Sequence, residues 1–202
     1  MRILDITLED LQKAIVAGGI NWGVQNNEQD RKTKFVYDVD NFELLDRMCK
    51  TMLKNEDDRK YAYHRWVNLN ISNCCEELFC KYGAEKVENK KDKEKDIFIK
   101  GVPFDVKVTN YPSTAYENFD LDTNQGKKDL CIWLYNNQSN EGRQHFKNRL
   151  FVVCCGNNME EKWRNRTNLK LLDDHIRDFM SEPTYYTLEE LKTVCGLIPI
   201  KS

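Results

Sequence analysis

Two aspartates and a lysine stand close together in "KDIFIKGVPFDVKVTNYP", residues 95–112. Lys100-Gly101 suits the two-residue turn of a β-hairpin, because a type I′ turn needs positive φ and glycine adopts it without steric cost. Strands Asp96–Ile99 and Val102–Thr109 on either side of that turn set Ile99 against Val102, Ile97 against Phe104, and Asp96 against Asp105. Side chains alternate along a strand, so Ile97, Ile99, Val102, Phe104, Val106 and Val108 share one apolar face that expects burial. Asp96, Asp105 and Lys107 share the other. Directly opposed residues have Cβ atoms ~5 Å apart, and like charges so placed are destabilising. Two such carboxylates either share a proton or hold a cation. A hard divalent ion such as Mg²⁺ takes oxygen ligands, commonly one or two carboxylates, and keeps water or phosphate besides. Lys107 points to the same side, where it suits an attacking water or a developing negative charge. That is the equipment of metal-assisted phosphodiester cleavage.

The elements around the hairpin must position these groups. Leu8, Leu11, Ile15 and Val16 have helical spacing in "LEDLQKAIVAGG", and Gly18-Gly19 ends that helix. "FELLDRMCKTMLKN" reads as a second helix. "YAYHRWVNLNISNCCEELFCKYG" reads as one long helix or two, stopped by Gly83. "AEKVEN" is a short strand before the hairpin, and "KKDLCIWLYNNQ" a helix after it. "RLFVVCCG" is a continuous apolar run, the pattern of a strand buried on both faces. "MEEKWRNRTNLKLLDDHIRDFM" reads as one helix. "TLEELKTVCG" reads as a last one, with Thr187 and Glu190 in a capping-box pattern.

In this setting Asp96 followed by Asp105-Val106-Lys107 resembles the signature of the PD-(D/E)xK nuclease superfamily, the fold of many restriction endonucleases. The family core runs αβββαβ, and residues 66–155 read in that order. The resemblance implies an α/β (α+β) fold with a mixed central sheet flanked by helices. It further implies that Asp96 and Asp105 ligate Mg²⁺, with Mn²⁺ able to substitute, and that the Val106 carbonyl adds a ligand. Lys107 would orient the water nucleophile. Many members add a glutamate from the preceding helix; of Glu76 and Glu77 in "CCEELF", Glu76 fits the pattern of an acid followed by paired apolar residues, Leu78 and Phe79. The lysine rather than proline at position 95 departs from the signature. The resemblance covers about the central half of the chain. It leaves residues 1–60 as a helical elaboration ahead of a core at 61–182, with a C-terminal helix and tail at 183–202, in one domain.

A nuclease needs a surface for its substrate. Between Arg143 and Lys170 seven basic residues face only Glu160 and Glu161. Arg143, Lys147, Arg164 and Arg166 are placed to neutralise phosphates, and Trp163 to stack on an unpaired base. Gln144 joins them through the resemblance, since some members carry a glutamine in the helix after the lysine strand. DNA is the expected partner, and a homodimer is the arrangement by which two such sites would address both strands of a two-fold target. A non-catalytic binding module that keeps this fold is the alternative, motivated by the near-neutral charge.

Composition sets the outer limits. The 202 residues are 40% hydrophobic and 32% charged with a formal net charge of −2, which fits a globular protein and excludes a largely disordered one. No apolar run approaches the ~20 residues of a membrane span, and the N-terminus lacks a signal peptide's apolar region, so a cytoplasmic protein is expected. Eight cysteines without any C-x-x-C pair read as free thiols, mostly buried. The three histidines are too scattered for a metal cluster. Neither a phosphate-cradling glycine loop nor an H-E-x-x-H or G-x-S-x-G pattern is present.

Overall fold

A computed structural model describes residues 6–21, 26–88, 95–112, 118–137 and 147–202. Among them are seven α-helices and one six-stranded mixed sheet, an open α/β arrangement. The helices are α1 (Leu8–Gly18), α2 (Asn27–Lys32), α3 (Phe42–Met52), α4 (Glu56–Lys81), α5 (Asn124–Asn137), α6 (Met159–Thr167) and α7 (Leu169–Ser181). The strands are β1 (Glu85–Lys86), β2 (Ile97–Ile99), β3 (Val102–Asn110), β4 (Arg149–Cys154), β5 (Tyr186–Leu188) and β6 (Thr193–Ile200).

Helix starts are fixed locally. Thr7 and Asp10 form a reciprocal capping box on α1. The side chains of Asn26, Asn41, Asn55, Asn158 and Asn168 cap α2, α3, α4, α6 and α7, each accepting from a first-turn N–H that would otherwise be unpaired. Asn168 thereby divides the stretch expected to be one helix: its backbone leaves helical geometry, closing α6 and opening α7. The long segment before Gly83, by contrast, is one 26-residue helix. Tyr61, Trp66, Val67, Ile71, Cys75, Leu78 and Phe79 of α4 are all buried, since α1 and α3 pack on one side of it and α7 and β3 on another.

The sheet order is β1-β2-β3-β4-β6-β5. Strands β1 to β3 are antiparallel neighbours, β3, β4 and β6 run parallel, and β5 returns antiparallel to β6. The hairpin register is the one its turn dictates, with Ile99 opposite Val102 and Ile97 opposite Phe104. Lys100 and Gly101 both have positive φ, as a type I′ turn requires. Val102 departs from expectation: beside the turn it lies beyond the reach of the core and is exposed.

Strand β4 is buried on both faces. Leu150, Val152 and Cys154 enter an apolar cluster that also holds Leu11, Val36, Leu45, Trp66, Phe79 and Ile176. Phe151 and Val153 enter a second cluster with Leu130, Leu134 and Leu197 on the side of α5. Residues from the N-terminal segment thus share one core with the sheet.

The expected C-terminal helix does not form. Residues 187–196 belong to β5, a single 3₁₀ turn at Glu189–Leu191, and β6. Lys192 takes a left-handed conformation that reverses the chain, so Tyr186 pairs with Cys195 and Thr187 lies in a strand instead of capping a helix. The apolar run Thr193–Ile200 gains more by lying beside β4, where all but Val194 and Pro199 are buried, than a short surface helix would offer. Pro199 lies beyond the reach of β5, where the missing N–H leaves no ladder partner on that side wanting. All eight cysteines are free thiols, six of them buried. No helix among the described residues is long and apolar enough to cross a membrane.

Candidate active site

Four of the expected side chains converge. Glu76 comes from the last turns of α4, Asp96 from the residue before β2, and Asp105 and Lys107 from β3. Asp96 does not continue the ladder to face Asp105 as its position suggested: its N–H donates at 2.8 Å to the carbonyl of Phe104, the residue already paired with Ile97, so the strand is displaced by one residue there. The Asp96 carboxylate then reaches across and accepts the Val106 N–H at 2.7 Å. Val106 itself sits in the core with only its backbone turned to this use.

Asp105 is not on an open polar face as its strand position suggested. It is 5% exposed, with Lys107 Nζ 2.7 Å from one oxygen and Arg149 Nε 3.1 Å from the other. Arg149 reaches it because β3 and β4 run parallel with Asp105 paired directly to Arg149. A carboxylate so buried needs such partners, and this one has two.

The other two acids are less well compensated. Burial is the largest influence on Asp96 and pushes its carboxyl up; the Val106 N–H pulls it down, and the charge of Asp105 pushes it up again. Glu76 is raised to about 6, first by burial and then by the negative charge of Asp96, against the pull of Lys86 and Lys107. Lys86 Nζ lies 3.5 Å from its carboxylate. Burial is thus the first cause for both acids, and each is raised further by one neighbouring carboxylate, Glu76 by Asp96 and Asp96 by Asp105.

Those oxygen donors suit a hard divalent cation by chemistry and by charge. Glu76 and Asp96 are the pair whose charge a cation would relieve, while both oxygens of Asp105 are already engaged. Among the described residues no three His, Cys, Asp or Glu side chains are drawn together into a ready cage. Glu77, the alternative acid, turns away: one of its oxygens is buried without a partner, and only Glu76 lines the cleft beside Asp96 and Lys107.

The cleft has a volume of about 900 Å³. One stripe of α4 forms a wall, with Tyr61, Arg65, Asn68, Ser72 and Glu76 spaced at helical intervals. Thr109 and Asn110 of β3 and Arg166 of α6 lie across from it, and Asp30 and Tyr37 of the N-terminal segment also line it.

The basic segment after Arg143 does not form one phosphate-binding face. Trp163 is 3% exposed, stacked on His64 with ring centroids 5.6 Å apart and donating to the Ile20 carbonyl, so it has no face for a base. Arg166 is buried, donating to the Val108 carbonyl and to Asn110. Lys162 is buried against the Tyr111 carbonyl, and Arg149 serves Asp105. Arg164 alone of the expected phosphate contacts on α6 is exposed, beside Glu160. Lys147 is half-buried ahead of β4, its carbonyl accepting the Tyr135 hydroxyl. Arg143 and Gln144 lie outside the described residues. Arg149 was discernible as a charge heading an otherwise apolar strand run; Tyr37, Arg65 and Asn68 carried no such mark.

Comparison of the chain with models of protein families, with curated proteins and with solved structures finds no match.

Proposed function

We propose that the protein is a Mg²⁺-dependent nuclease that hydrolyses phosphodiester bonds, with DNA as substrate and a restriction-endonuclease-like core running from α4 through β4. The observation that carries this reading is the cleft beside the hairpin, which Glu76, Asp96 and Lys107 line together, with Asp105 buried behind it and ion-paired to Lys107. Glu76 and Asp96, with the Val106 carbonyl, would hold the ion, and Asp105 would join them by exchanging its Lys107 contact for the metal. Bound there, a divalent cation would polarise the scissile phosphate and neutralise charge developing on its oxygens. Lys107 is the only one of the four that can donate a hydrogen bond as an ammonium, and its side chain is 41% exposed while its partner Asp105 is buried. It would hold the attacking water with its oxygen directed at phosphorus, in line with the leaving oxygen. Dimerisation would place two such clefts on a duplex.

One observation favours a second reading. Both oxygens of Asp105 are held by Lys107 and Arg149, which is what a nucleic-acid-binding module retaining the fold without its catalysis would keep. A cleavage assay on supercoiled plasmid and mixed oligonucleotides, with Mg²⁺, Mn²⁺ or EDTA, separates the two. Metal-dependent cleavage that disappears in Lys107→Ala is the expected result. Absence of cleavage together with calorimetric titrations in which Mn²⁺ fails to bind would overturn the nuclease and leave the binding module.

A further inference from the structure

The cleft continues well past the carboxylates, and its far end is built from residues of a different kind. Eleven residues of α4 separate Glu76 from Arg65, about 16 Å along the helix axis. That is the length of about five nucleotides at the spacing of a stacked strand. At this end the Arg65 guanidinium lies 4.9 Å from the centroid of the Tyr37 ring and donates to the Tyr37 hydroxyl at 3.0 Å. Arg65 is held in turn by the Thr33 hydroxyl at 2.9 Å and by Asp30 at 3.5 Å. Its position is therefore set before any ligand arrives.

Tyr37 is 55% exposed, although its position against Arg65 is fixed. A large ring so anchored and so open is uncommon unless something covers it, since an ordered aromatic surface left in water forgoes the gain of burial. Between Tyr37 and the carboxylates the cleft wall carries polar atoms that lack partners. Asn68 Oδ1 and Arg166 Nε are both buried and without a hydrogen bond. Arg166 is 7% exposed, and among the described residues it has no carboxylate to balance its charge. Buried groups in that state are expensive unless a ligand or water completes them. An open aromatic face at one end of the cleft and an uncompensated cation in its wall suit a nucleic-acid strand, the ring taking a base face and the cation favouring the strand's negative charge.

We infer that the substrate of this cleft is a nucleic acid with an unpaired strand, whose base stacks on Tyr37 while the strand runs along α4 to the carboxylates. The inference rests on the nuclease reading and narrows it. Stacking on a side chain needs a base whose face is free, which an intact duplex does not offer. Tyr37 is the stacking residue, Arg65 a positioning residue that holds its ring, and Arg166 a buried cation whose uncompensated charge favours the strand's phosphates from behind the cleft wall. The N-terminal segment thereby supplies part of the substrate site.

The test is a binding measurement in EDTA, so that cleavage plays no part. Fluorescence anisotropy would compare a fluorescein-labelled oligothymidylate with a labelled duplex of the same length, for wild type, Tyr37→Ala and Tyr37→Trp. The single strand should bind more tightly than the duplex. Tyr37→Ala should weaken single-strand binding about tenfold, and Tyr37→Trp should restore it. The melting temperature should not change in Tyr37→Ala, because the ring is largely exposed. Unchanged single-strand affinity in Tyr37→Ala, or equal affinity for the duplex, overturns this inference and leaves plasmid cleavage to speak for the nuclease. Failure to bind any oligonucleotide overturns it too, and the nuclease falls as well only if metal-dependent cleavage is also absent.

Discussion

Replacing Glu76 with glutamine should make the protein more stable, and by an amount that depends on pH. The Glu76 carboxyl is raised from 4.5 to about 6 in the folded chain. Between those two values the folded protein keeps a proton that the unfolded chain has released. The group therefore costs nothing well below pH 4.5, and its full penalty is present once pH has risen past 6. A shift of that size corresponds to about 2 kcal/mol, which partial solvation of the site reduces to about 1–2 kcal/mol. Glutamine has nearly the same shape and carries no charge, so it removes that penalty. For a chain of this size each kcal/mol moves the midpoint by about 2–4 °C, so at pH 7.5 the variant should melt about 3–6 °C higher. At pH 5 less than half of that gain should remain. Calorimetric melting in EDTA at the two pH values measures both numbers. A gain that is equal at pH 5 and pH 7.5, or a loss at pH 7.5, would refute the reasoning, because either would place the Glu76 effect in packing and not in its charge.

Gly126→Ala should destabilise, although alanine is the better helix former by about 1 kcal/mol. A Cβ at Gly126 would lie 2.1 Å from the Asp120 carbonyl oxygen, and the backbone shift it forces should cost at least about 2 kcal/mol net in urea unfolding. Arg149→Met removes one of two cations from the buried Asp105 carboxylate and should cost about 3 kcal/mol, at the low end for a broken buried pair because Lys107 remains. A loss under about 1 kcal/mol in the same assay would mean that Lys107 alone suffices. Mn²⁺ affinity, followed by titration calorimetry, should fall at least about fourfold from pH 7.5 to 5.5 as Glu76 and Asp96 take up protons in competition with the ion; a flat profile would count against both as ligands.

The features that the chain reveals are those decided within a few residues. The hairpin register follows from Lys100-Gly101 and the alternation around it, so the pairs from Ile99–Val102 to Ile97–Phe104 could be read in advance; Asp96, one residue further, leaves that register and reaches the Val106 N–H with its carboxylate. Buried strand β4 declares itself by an unbroken apolar run. Where partners lie far apart in sequence the reading fails. "TLEELKTVCG" has helical spacing, and only the parallel neighbour β4 makes a strand of its second half. Asp105 looks like one more exposed strand charge until Arg149, 44 residues later, is paired to it. Trp163 and Arg166 look like surface residues because basic helices are usually solvated, but α6 is pressed between α1, α7 and the sheet. The far end of the cleft is likewise non-local, with Tyr37 and Arg65 coming from separate segments.

The continuity of α4 limits how this protein can change in length. Tyr61, Arg65, Asn68, Ser72 and Glu76 share one wall because they are spaced at helical intervals along a single uninterrupted helix. One residue inserted between Arg65 and Glu76 would turn everything before it by about 100°, carrying Arg65 out of the cleft and driving Trp66 and Val67 out of the core. Many substitutions in that stretch are local events, whereas any single insertion or deletion is a global one. An insertion of about seven residues is the shortest that would return both faces to within about 20° of register, and it would lengthen the wall by about 10 Å. Relatives that share this site should therefore vary the stretch between Arg65 and Glu76 in composition and hold it constant in length.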